Sequence, residues 1–297
     1  MAEKIERKNR EVVFVAGAGH SGSTLLGLAL GAHPEIFYAG EANKSQLLSD
    51  ASAPLRKRTC KVCGEGCPVW TDLVWTDLGR TDLGQTNLIG GDDLYEALSL
   101  RTGRPVVVDS TKETGWIAEK SAALAALGVR VHLFFLGRDG RAIVASGLRK
   151  DPGHSIEEHT QKWVEQIAAS EALAAQFPGP VTRLRYETLV TEPEATLSML
   201  VRSLDRALVP SMLSPFDSEQ HPLGGNAGTQ SLLSGSVTRT DGPLPVKGDK
   251  RRYYEDHPRA FVLDQRWRSE LSDEALRRFS AVAGPTEDAH AWEEEKR

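Results

Sequence analysis

Val12-Val13-Phe14-Val15-Ala16-Gly17-Ala18-Gly19-His20-Ser21-Gly22-Ser23-Thr24-Leu25-Leu26 is a short apolar, β-branched run that breaks into glycines and resumes as a helical pattern. It reads as strand, tight turn, helix. A helix opening behind a Gly/Ser turn presents unpaired backbone N–H groups and the positive end of its dipole, which suits an anion, above all a phosphate. The spacing Gly17-x4-Gly22 followed by Ser23-Thr24 differs from a P-loop at one position, 23, where that motif carries lysine and this chain carries Ser23. Without that point charge, the outer phosphates of a triphosphate lose their partner. The loop therefore reads as a cradle for a phosphate ester rather than a site that hydrolyses ATP. An ordinary strand–helix turn would carry the same glycines, so the decision rests on the rest of the chain.

Outward from this stretch, further strands and helices alternate. Pro105-Val106-Val107-Val108-Asp109 is a short buried-type strand ending at Ser110-Thr111-Lys112, Val129–Gly137 is an apolar strand ending at Arg138, and Val181–Tyr186 is another. Helices are predicted near 92–102, over Glu113–Leu127, from Asp139 as N-cap, over Ser155–Phe177 and over Pro193–Leu208. Such alternation implies an α/β fold: a central parallel sheet flanked by helices in three layers, as in P-loop NTPases. Ligands of such sheets bind beyond the carboxyl ends of the strands. The loop at 17–24, Lys112 and Arg138 all fall at such ends. His132, inside an apolar strand, reads as a satisfied core residue.

The whole chain bounds the function. Its 297 residues, 40% hydrophobic and 26% charged, suit one large soluble α/β domain. A net charge of −5 argues against a general nucleic-acid binder. The first ten residues are charged and lack an apolar core, so they are not a signal peptide, and no run approaches a membrane span. The expectation is a cytoplasmic protein with tails at 1–10 and 286–297, a domain over 11–285, an insertion at about 50–90 and a lid at about 221–250. Ala51–Arg58 reads as a loop. A homodimer stays open.

Two segments resist assignment. Cys60, Cys63 and Cys67 lie in Cys60-Lys61-Val62-Cys63-Gly64-Glu65-Gly66-Cys67-Pro68-Val69-Trp70. Three thiolates could hold zinc if a fourth ligand arrived from elsewhere, but no histidine sits at finger spacing, so the segment reads as a structural or redox-labile cysteine cap and no metal is assigned. Next come four pentapeptides ending in Leu73, Leu78, Leu83 and Leu88. A five-residue period fits neither helix nor strand. The repeat reads as a duplicated surface insertion, or as a lid whose Trp70 and Trp75 line an acceptor pocket.

Residues 17–41 continue through Leu30-Gly31-Ala32-His33-Pro34-Glu35 to Gly40-Glu41-Ala42-Asn43. Here the chain resembles sulfotransferases that use 3′-phosphoadenosine 5′-phosphosulfate (PAPS), the tyrosylprotein sulfotransferases and their bacterial relatives above all. Arg185-Tyr186-Glu187, His221-Pro222-Leu223-Gly224-Gly225-Asn226, Asp264-Gln265-Arg266-Trp267-Arg268 and the Cys-Pro-x-Trp ending of the cysteine segment add to the resemblance. It implies PAPS as co-substrate and the loop Gly19, His20, Ser21, Gly22, Ser23 and Thr24 as its 5′ cradle. It further implies Arg138 and Ser146 on the 3′-phosphate, with Arg149 or Lys150 adding charge, and Tyr186 near the adenine. Arg138 must fold back to share a phosphate with Ser146, since eight helical residues rise about 12 Å.

For catalysis the resemblance implies Glu41 as the base toward the acceptor and Lys112 as an active-site cation. His20 stands where the family has Arg or Lys, and reads as a donor to the leaving oxygen or as the base. No metal is required, because side chains supply the cations. The acceptor is a small molecule or peptide bearing a hydroxyl or amine. The rival readings are a nucleotide or small-molecule kinase, against which Ser23 counts, and a non-catalytic nucleotide-binding protein, which His20 favours.

Overall fold

The computed structural model describes residues 7–71, 73, 93–233 and 249–292. Most of the pentapeptide repeat, including Trp75, and residues 234–248 of the expected lid lie outside the described residues.

Five parallel strands form one sheet: β1 (Glu11–Ala16), β2 (Ile36–Gly40), β3 (Val106–Asp109), β4 (Arg130–Gly137) and β5 (Val181–Arg185), in spatial order β2-β3-β1-β4-β5. Helices flank it. In chain order they begin with α1 (Ser23–Gly31), a single turn α2 (Leu55–Arg58), α3 (Asp93–Thr102), α4 (Thr114–Ala126), α5 (Gly140–Lys150) and α6 (Ile156–Gln176). The remainder are α7 (Tyr186–Thr191), α8 (Pro193–Arg202), α9 (Ala227–Ser231), α10 (Asp249–Glu255), α11 (Trp267–Glu270), α12 (Asp273–Ala283) and α13 (Pro285–His290). This is the α/β architecture that the alternation predicted. Because β1 is central, its loop stands at the middle of the sheet's carboxyl edge, where such sheets bind ligands.

Local chemistry explains the elements. β1 is buried along its whole length, as a parallel strand covered on both faces must be. Asp139 caps α5 by accepting from the Arg141 N–H, and Ser155 with Glu158 forms a capping box on α6. Trp163 of α6 stacks on Phe279 of α12 at 5.6 Å, joining α12 to α6. At the amino edge the fully buried Glu11 accepts from Arg130 at 2.6 Å and Arg206 at 2.7 Å, and lies 3.2 Å from His132. His132 is a core residue, as expected, but it is not satisfied: its Nε2 faces Glu11 without making a hydrogen bond.

Several boundaries differ from the sequence reading. β2 has no counterpart in the sequence reading, since a five-residue apolar run has no period to detect. Leu55–Arg58 is a helical turn rather than loop, and α8 stops at Arg202, after which Asp205 takes a positive φ of 58°. The terminal segments are also docked where described. The side chain of Asn9 bonds within the core, Arg185 donates to the His290 and Ala291 carbonyls, and the Trp292 N–H donates to Asp139.

Candidate active site

The loop between β1 and α1 is shaped by two close approaches. A Cβ on Gly17 would stand 2.3 Å from the Leu136 carbonyl oxygen, and one on Gly22 would stand 2.5 Å from the Tyr186 ring. Both glycines hold positive φ, and His20 between them does so at 66°, a region non-glycine residues enter rarely. Tyr186 closes the loop from below. Its hydroxyl donates to the Val262 carbonyl at 2.9 Å, and the Arg138 guanidinium lies over its ring at 4.1 Å.

Arg138 is 6% exposed and donates through Nη1 to the His20 carbonyl at 2.9 Å and through Nη2 to the Asp264 carbonyl at 3.2 Å. Ser146, two turns along α5, places its Oγ 3.0 Å from His20 Nδ1. Arg138 and Ser146 each touch His20. His20 bridges them, offering its carbonyl to one and its ring to the other. Arg149 is paired with Glu270. Asp264 ties this corner together. Burial pushes its carboxyl up, but Arg266 and Arg138 outweigh that and hold it well below the ordinary carboxylate range.

On the other side of the loop, Lys112 leaves the end of β3 and donates to Ser23 Oγ at 3.2 Å, the Ser110 carbonyl at 3.1 Å and Glu41 at 3.5 Å. The charge absent from position 23 is thus delivered to that position from a neighbouring strand. Glu41, at the end of β2, is half-buried, and its backbone N–H donates to the Leu223 carbonyl at 2.6 Å. The Asn226 N–H donates to Thr24 Oγ1 at 3.0 Å, which brings the 221–226 loop onto the start of α1.

Two residues the sequence reading passed over also build the site. Gln166 of α6 accepts the Gly19 N–H at 3.0 Å, occupying one of the loop's donors. Asp109 is fully buried at the end of β3 and accepts four bonds, from the N–H groups of Ala42 and Thr111, the Tyr95 hydroxyl and the Trp116 indole. It holds the turns that carry Glu41 and Lys112 in one register. Among the described residues, buried Ser21 Oγ and Arg138 Nε have no hydrogen-bond partner.

The cysteine segment lies against β2. Cys60, Cys63 and Cys67 converge on His221, whose Nδ1 lies 3.0 Å from Cys63 Sγ and 3.6 Å from Cys67 Sγ. The Cys60 hydrogen bond is the largest influence holding the Cys67 thiol down at about 4, and it helps hold Cys63 at about 7. Trp70 is buried beside Phe37 and donates to the His221 carbonyl at 2.6 Å, so it packs the insertion onto β2.

No protein-family model matches this chain, and neither does any curated protein. Solved structures do. A sulfotransferase domain from the curacin biosynthetic pathway aligns with a TM-score of 0.53 at 19% identity, covering 92% of this chain and 97% of that one. A sulfotransferase domain from the Synechococcus PCC 7002 olefin synthase aligns with a TM-score of 0.56 at 17% identity, covering 94% and 96%. The fold is that of sulfotransferase domains. The likeness spans nearly the whole of each chain. No helix among the described residues is long and apolar enough to cross a membrane.

Proposed function

We propose that the chain is a PAPS-dependent sulfotransferase acting on a hydroxyl or amine acceptor. The observation that carries this reading is the convergence of Lys112, Arg138 and Ser146, from the ends of two strands and from α5, on the loop 17–24. Phosphate esters are held by such groups, with guanidinium and ammonium flanking oriented backbone N–H donors. Ser21 Oγ and Arg138 Nε, buried without partners, suit a polar ligand, because orphaned buried polar atoms are costly unless a ligand completes them.

In this reading, Gly19–Thr24 hold the donor's 5′-phosphosulfate, Arg138 and Ser146 its 3′-phosphate, and Tyr186 the adenine side. The acceptor oxygen or nitrogen attacks sulfur in line and Glu41 takes its proton. The sulfur–oxygen bond to the 5′-phosphate breaks, and its electron pair goes to that bridging oxygen. Lys112 and His20 neutralise the charge developing there, which lowers the barrier as other fixed cations do. Lys112 touches both Ser23 and Glu41, so one cation serves the donor loop and orients the base.

Calorimetry with adenosine 3′,5′-bisphosphate and AMP, each with and without magnesium, tests the donor. The bisphosphate should bind far more tightly in both conditions, and equal affinities would overturn the reading. Magnesium-dependent ATP turnover would replace it with a kinase. A labelled-donor screen against metabolite extracts then finds the acceptor.

A further inference from the structure

We propose that Cys60, Cys63, Cys67 and His221 Nδ1 form a structural zinc site that clamps the insertion onto the wall carrying Glu41. The four ligand atoms all lie within 4.8 Å of one another. A zinc tetrahedron with the usual zinc–sulfur and zinc–nitrogen bonds has edges of about 3.5–3.8 Å. The 3.6 Å from Cys67 Sγ to His221 Nδ1 is such an edge, and the 3.0 Å from Cys63 Sγ needs only a small outward shift. Three sulfurs and one nitrogen make a closed donor set typical of a structural rather than a catalytic centre. Cys60 and Cys67 are 0% and 1% exposed, and none of the three cysteines is in a disulfide.

The surroundings are those of a metal site rather than of packed thiols. His221 turns Nδ1 toward the sulfurs while its Nε2 lies 3.2 Å from Glu219, the outer carboxylate that commonly fixes a ligating imidazole. The Val62 N–H donates to Cys60 Sγ at 3.4 Å, an amide contact of the kind that steadies a metal-bound thiolate. Gly64, at a φ of 76°, turns the chain so that its N–H donates to the Cys60 carbonyl at 2.9 Å, which points Cys60 and Cys63 to one side.

What the site would hold in place follows from the same contacts. Two residues after His221, Leu223 bridges to Cys60 on one side and Gly40 on the other, and its carbonyl accepts the Glu41 N–H. Lys61, between the first two cysteines, donates to the Gly225 carbonyl at 2.8 Å. A metal joining 60–67 to 221 therefore fixes the strand-like segment against which Glu41 is set. It covers the exposed edge of β2, which sheets otherwise protect by other means.

The test is metal content and cobalt spectroscopy on the full chain, purified tag-free under reducing conditions. We expect about one zinc per chain. Exchange into cobalt should give thiolate-to-metal charge-transfer absorption and the intense visible bands of a tetrahedral site. His221→Ala and Cys63→Ser should each weaken both signals, and Glu219→Gln should lower metal affinity roughly 10- to 100-fold while keeping the bands. Wild-type protein that neither carries zinc nor gives the cobalt–thiolate band overturns the proposal, as does one zinc per chain that survives both ligand substitutions. Should those variants fold poorly, the wild-type cobalt spectrum decides alone. None of these readouts depends on sulfuryl transfer.

Discussion

His20 and Ser146, 126 positions apart in sequence, meet at 3.0 Å between Nδ1 and Oγ, and Arg138 grips the same residue through its carbonyl. The histidine is thereby held in its left-handed conformation by both of the groups assigned to the 3′-phosphate. Its ring cannot turn without disturbing Ser146.

A first prediction concerns what this ring does. With His20 as the cation on the leaving oxygen, activity falls as pH rises through its pKa, because only the protonated ring neutralises charge. His20→Arg should flatten that limb. With His20 as the base, activity rises with pH and His20→Arg is nearly inactive. A pH–rate profile of wild type and variant separates the two, and identical profiles for wild type and His20→Ala would remove the residue from the chemistry. We expect the first outcome, since His20 lies within the turn proposed to hold the donor's phosphates.

Arg138→Lys keeps the charge and loses the fork. Bisphosphate binding should weaken by about 1.5–3 kcal/mol, the worth of a hydrogen bond to a charged group, while AMP binding changes little. Titration calorimetry with both nucleotides checks this, and an equal loss for the two would place Arg138 away from the 3′-phosphate.

Glu41→Gln preserves shape and the bond to Lys112 and removes proton acceptance. Turnover should drop by roughly two to four orders of magnitude at unchanged donor affinity, the usual contribution of a general base. Full turnover in the variant would exclude Glu41 as the base.

Stability should depend on Glu11. Burial pushes its pKa up, but His132, Arg206 and Arg130 together bring it below the ordinary 4.5. A depressed carboxylate contributes stability that is present above the unfolded-state pKa and is lost as pH falls through the folded-state value. The wild type should therefore lose stability below about pH 4.5, and Glu11→Gln should flatten that loss. At neutral pH the variant should cost about 3–5 kcal/mol, as when a buried ion pair is broken. Denaturant midpoints across pH 3–7 measure both effects.

What the sequence revealed was local, and what it hid was remote. The Gly17–Gly22 spacing exposed β1, the turn and α1 at once, since a glycine pattern between two periods is a short-range signal. Asp139 was legible as a cap for the same reason. Gln166 on the Gly19 N–H was not, because it arrives across 147 positions and a helix-face glutamine carries no mark of its target. The fourth group of the cysteine cluster was equally hidden: His221 stands 154 positions after Cys67, far beyond any finger spacing. Asp109 looked like the polar end of a strand, and only the packed structure reveals its four donors.

The lysine that serves Ser23 follows β3 rather than lying in the β1–loop–α1 unit, and under the proposed function this makes affinity a property of assembly. An isolated peptide spanning residues 11–31 would carry the N–H donors without the cation. Ligand affinity therefore reports whether β3 is paired in register with β1, since a one-residue slip would send the strand-end side chains to the opposite face. By linkage, nucleotide at a hundred times its dissociation constant would add about 2.7 kcal/mol to the folded state. Ligand would thus act as a folding aid, rescuing sheet-edge variants in expression and thermal-shift assays before any acceptor is known.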